Sequence, residues 1–152
     1  MSDQSDAELL RQTILFYDIE QRRILAEHGP VTQARMLAIL LRHGALAQSD
    51  LGRKLGLEKS WISRAVDKLV EQGWVARSAN AQDRRGVLVE LTDTGRDKAQ
   101  QLRSNLDRHA QDVLARLSPA GRDAVLTGMR ALASVVPTPE TPTTRSAVAK
   151  KN

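Results

Sequence analysis

The 152-residue sequence contains no cysteine. That absence excludes disulfides, thiolate metal sites, cysteine nucleophiles and thiol-based redox sensing together. Aromatic residues are also scarce, with two Trp, one Tyr and one Phe. A core must therefore be assembled from Leu, Val, Ile and Ala, a composition that favours helices. No apolar run approaches the roughly 20 residues needed to cross a bilayer. The first residues, Met-Ser-Asp-Gln-Ser-Asp, are polar and acidic, unlike a signal peptide. The expectation is a cytoplasmic protein with no membrane partner. Glycines occur at neither Walker nor dinucleotide-binding spacing, and no serine sits on a strained elbow. The reading is a non-enzyme with no cofactor.

What is present is an ordinary globular balance, 41% apolar and 27% charged, in a chain long enough for one domain with one sizeable core. The net charge of +5 and a pI near 10.1 favour anionic partners such as nucleic acid. The excess is spread out. Residues 48–91 carry eight Lys or Arg against six Asp or Glu, and residues 1–47 carry five against six. Basic side chains must therefore be gathered on one surface if they are to bind an anion.

Periodicity predicts a mainly helical fold. Residues 6–28 read as one long helix with a stripe of Leu10, Ile14, Tyr17, Ile24 and His28. Thr32 is a candidate cap for a second helix over 33–43, apolar on so many sides that it should be buried. Ser49 can cap a short helix to residue 55. Residues 59–72 form the next helix, with Ile62, Val66, Leu69 and Val70 inward. Two strands follow, over 74–78 and 87–91. In the second, Val87, Val89 and Leu91 share the apolar face. Thr92 or Thr94 then caps a long helix running to about residue 117. Ser118-Pro119 opens a last helix to residue 136, with Val125, Met129, Leu132 and Val136 inward. Residues 137–152, rich in Pro and Thr, read as a disordered tail.

Residues 48–69 have the internal logic of a helix-turn-helix. Leu51, Leu55, Leu57, Ile62 and Val66 supply a shared core, Gly52 is small where the helices approach, and Gly56 sits in the turn. The second helix presents Lys59, Ser60, Ser63, Arg64 and Lys68 away from its apolar face. Its first turns are the part of a recognition helix that reaches base edges in the major groove. Arginine can pair with guanine through two hydrogen bonds, and serine can bond bases or phosphates. Trp61 borders Ile62, so packing inward is its expected role, ahead of stacking near sugar and phosphate. The two strands and the loop between them describe a wing. Asp83, Arg84 and Arg85 stand at its tip, where a narrow minor groove would attract arginine.

The run "SDLGRKLGLEKSWISRAVDKLVEQGWVAR", then "DRR", then "LTDTG" resembles the MarR-type transcriptional regulators. The resemblance covers residues 32–95; the flanking helices match in position and length, not in sequence. It implies a winged helix-turn-helix lobe over 30–92 within a single domain over 1–136. It also implies a homodimer held by helices 6–28 and 94–136, and a double-stranded, pseudo-palindromic DNA operator. Arg85 would enter the minor groove, held by Asp83, which could alternatively steady Arg64. A small aromatic or anionic effector would bind where the long helices join the lobe. Tyr17, Arg23, Met36 and His43 are the candidate lining residues. Ser63 replaces the usual threonine, and Trp61 is bulkier than the common residue.

The implied function is a repressor relieved by an effector. The alternative reading is a winged-helix protein-interaction module that touches no DNA, and a third is a ligand-binding protein with incidental wing charge. His109 and Asp112, three residues apart, are a conceivable metal pair, but no third ligand stands at convincing spacing, and no metal is expected.

Overall fold

The computed structural model describes residues 5–84 and 86–136. The elements run α1 (Asp6–Ala26), α2 (Val31–His43), β1 (Leu46–Ala47), α3 (Gln48–Leu55), α4 (Lys59–Glu71), β2 (Val75–Ala79), β3 (Val87–Leu91), α5 (Asp93–Ala115) and α6 (Pro119–Val135). The chain forms two compact units, Met1–Gln111 and Asp112–Asn152. The fold is the mainly helical one expected, with a small antiparallel sheet. The expected tail, residues 137–152, lies outside the described residues, as does Arg85.

In the first unit α2 is the hub. Met36, Leu37 and Leu40 are fully buried, alongside Leu51, Ile62, Val66, Leu69 and Val89 from three other elements. α2 begins two residues earlier than Thr32 would have it. Pro30 is its N-cap, and the Pro30 carbonyl accepts from the Ala34 amide at 3.2 Å. A fixed proline φ suits a helix start. α3 likewise starts at Gln48, without a Ser49 cap, because the preceding Leu46–Ala47 pairs with β3. The sheet order is β1-β3-β2. A two-residue strand is too short to show a period in sequence.

Several predicted inward positions face out. Val70 and Val87 are exposed, so α4 buries only Ile62, Val66 and Leu69, and β3 anchors through Val89 and the half-buried Leu91. In α1, Leu25 is the buried residue, while Leu10 and Ile14 are exposed. The half-buried His28 and Tyr17 both meet α5. The amide nitrogen of Asn105 lies 2.8 Å from His28 Nε2, and Tyr17 stacks on His109 with ring centroids 6.0 Å apart.

The joint between the hairpin and α5 explains "LTDTG" physically. Thr92, not Thr94, caps α5: its hydroxyl accepts from the Gly95 amide at 3.0 Å and donates to the Gly73 carbonyl at 2.6 Å. The Thr92 amide donates to the Trp74 carbonyl at 3.1 Å. A Cβ on Gly95 would sit 1.7 Å from that same Trp74 oxygen, so only glycine fits there.

In the second unit Ser118 caps α6, accepting from the Gly121 amide at 3.1 Å, with Pro119 in the first turn. No residue of α6 is buried within the chain. Val125, Met129 and Val136, expected inward, are exposed, and Leu132 is half-buried. Among the described residues no helix is long and apolar enough to cross a membrane.

Candidate nucleic-acid interface

α3 and α4 cross closely because Gly52 lets them. A Cβ at position 52 would meet Ile62 Cγ2 and the Leu57 carbonyl oxygen, both at 3.3 Å. Gly56 ends α3 in a left-handed conformation at φ 67°, which favours glycine and turns the chain into α4. No side-chain hydrogen bond caps α4 at Glu58. An open helix N-terminus suits an anion, since its amide groups and dipole both attract negative charge.

With Ile62, Val66 and Leu69 buried, a helix of 3.6 residues per turn sends Ser60 and Arg64 almost directly away from the core. Both are exposed, as is Lys59, and Ser63 is half-buried. Lys68 stands apart. It lies about 13 Å further along the axis than Lys59, where its ammonium pairs with Glu71 at 3.4 Å. Trp61 did not pack inward. It is 62% exposed, with the Arg64 guanidinium 5.8 Å from its ring centroid, within cation–π range.

The wing stands beside the start of α4. A hollow of about 470 Å³ is lined by Gln48 and Ser49 of α3, Lys59 and Ile62 of α4, and Asp83, Gly86 and Val87 of the wing. The wing loop is internally bonded, with the Asn80 amide donating to the Gly86 carbonyl at 3.2 Å and the Gly86 amide to the Asp83 carbonyl at 2.9 Å. Asp83 and Arg84 are exposed at its tip.

One residue that sequence reading passed over positions the wing. Arg77 of β2 reaches Asp67 of α4 at 2.5 Å, the Ser63 carbonyl at 3.2 Å and Gln48 of α3 at 3.3 Å. It thereby joins wing, recognition helix and the start of α3. Its partners lie 10, 14 and 29 residues away, so nothing local in sequence marks it. The one available signal is a cation in mid-strand opposite the Asp67 carboxylate.

The four candidate effector residues line none of this hollow. Met36 is a core residue at 0% exposure. Arg23 is exposed on α1 between Glu20 at 3.0 Å and Glu27 at 3.4 Å. The Glu20 hydrogen bond and charge raise its pKa above the ordinary arginine value. Tyr17 is engaged with His109, and His43 is half-buried at the end of α2. Among the described residues no three His, Cys, Asp or Glu side chains come together as metal ligands would.

Comparison with known proteins places this arrangement. The MarR family profile matches residues 23–87. An uncharacterized HTH-type transcriptional regulator of Bacillus subtilis, YfiV, is 33% identical over 100 residues, which cover 66% of this chain and 62% of that protein. The HTH-type transcriptional repressor MdtR of the same organism is 33% identical over 94 residues, 60% of each chain. The chain thus spans about three fifths of the length of these curated relatives. Among solved structures, apo MarR from Escherichia coli superposes with a TM-score of 0.70 at 26% identity, covering 84% of this chain and 96% of that one.

Proposed function

We propose that this chain, similar to the MarR family over residues 23–87, is a winged-helix transcriptional regulator that binds a pseudo-palindromic operator as a homodimer and represses transcription until a small molecule releases it. The observation that carries the DNA-binding reading is the hollow shared by α3, α4 and the wing. It sets the uncapped start of α4, with Lys59, Ser60 and Arg64, beside a wing tip bearing Arg84 in the described residues and Arg85 next in sequence. A recognition helix in the major groove then brings the tip over the neighbouring minor groove, where Arg85 would enter. Repression is inferred from MdtR, which is named a repressor. For the effector we retain Tyr17, Arg23, Met36 and His43, of which Met36 is a fully buried core residue. The regulator's place of action is the cytoplasm, with the DNA.

Binding of the full chain to its own upstream DNA, measured by fluorescence anisotropy across salt concentrations, tests the reading. Several phosphate contacts predict a log–log slope of about −0.9 per phosphate. Arg85→Ala should weaken binding by about tenfold or more, the loss of a charged contact. Salt-insensitive or absent binding would leave the protein-interaction module as the better account.

A further inference from the structure

We propose that Trp61 is a specificity-determining residue of α4: its indole steers the Arg64 guanidinium toward a guanine and packs against the 5-methyl group of a neighbouring thymine. The inference rests on the reading that α4 enters the major groove.

Three observations carry it. Trp61 is 62% exposed, although apolar side chains of its size are normally well covered. It stands one helical turn before Arg64, whose guanidinium lies 5.8 Å from the ring centroid, so the longest base-reading side chain already leans on the indole. Its flank of the helix also faces away from the wing. At about 100° per residue, Trp61 lies on one side of Arg64, and Ser63 on the other. The Ser63 carbonyl is the one that Arg77 of β2 binds, at 3.2 Å, so the wing occupies the opposite flank. Trp61 is thus left beside the guanine-reading position with nothing from the wing between it and DNA. The apolar group a major groove presents is the thymine methyl. Arginine held over an indole keeps its forked edge free for the two guanine acceptors.

The test uses the full-length protein and duplexes it enriches from a random pool. Each thymine in the enriched site is replaced in turn by deoxyuridine, which deletes the methyl and leaves every hydrogen-bonding group. The wild-type protein should lose affinity about fourfold at one thymine per half-site, next to the guanine, the equivalent of one buried methyl group. Trp61→Ala, which should fold normally because the side chain is exposed, should bind both duplexes equally. Trp61→Phe should keep a reduced preference for thymine. Wild-type indifference to every replacement overturns the proposal, as does a Trp61→Ala protein with the wild-type thymine preference. A Trp61→Ala loss that is equal on all DNAs also overturns it, marking a backbone contact. A pool that yields no enriched sequence overturns the operator reading itself, and so is distinguishable from these outcomes.

Discussion

A single atom decides position 95. Any side chain there drives a Cβ into the Trp74 carbonyl, against backbone rather than a side chain that could swing away. Gly95→Ala should cost about 3 kcal/mol or more, at or beyond the upper end of ordinary overpacking, read as a lowered urea midpoint. A variant with unchanged stability would mean that the joint opens without penalty. Gly56 and Gly52 were legible in the sequence, and the cap of α5 was narrowed to Thr92 or Thr94, because their chemistry is local: a turn, a close crossing and a cap each involve near neighbours. Trp61 was misread. Adjacency to Ile62 in sequence means about 100° of rotation on a helix, enough to leave the buried face. Arg77 was passed over because its partners come from other elements.

At the scale of elements, the wing is held against α4 by Arg77 and supported by the sheet. Arg77→Ala removes the Asp67 pair and two further hydrogen bonds. Charged hydrogen bonds contribute about 1.5–3 kcal/mol each when well shielded, and Arg77 is partly exposed. A loss of about 1 kcal/mol in thermal stability is therefore expected. Faster amide exchange should appear in β2 with little change in α2. Equal exchange in both would place Arg77 in global stability rather than in wing placement. The helix-turn-helix and hairpin were readable as periodic segments with turn residues between them. β1 was not, since its two residues form a strand only because Val89 and Leu88 of β3 lie opposite.

For the whole molecule, apolar surface is the deciding quantity. α1 exposes Leu9, Leu10, Ile14, Leu15, Phe16 and Ile19, and α6 exposes Val125, Met129 and Val135. Periodicity identified apolar stripes on both helices, but a stripe does not say whether its cover comes from the same chain or another. Within one chain these side chains stay in water, and exposed contiguous apolar patches mark association surfaces. The proposed homodimer should elute and scatter at about twice the 16.8 kDa of the chain. Phe16→Glu or Met129→Glu should shift it toward monomer. Operator affinity should fall with it, because two recognition helices about 34 Å apart are needed to engage both half-sites. Full operator affinity in a monomeric variant would contradict that geometry.

The Thr92 joint has a further consequence, for how the hairpin folds. A strand that slips by one residue turns its buried side chains outward. Here a slip of β3 against β2 would also carry Thr92 away from the Gly73 and Trp74 carbonyls that hold it. The hairpin register and the first turn of α5 are therefore set by one event. A mispaired wing leaves the long helix without its cap, so an error in a five-residue strand surfaces as fraying at the start of a 23-residue helix.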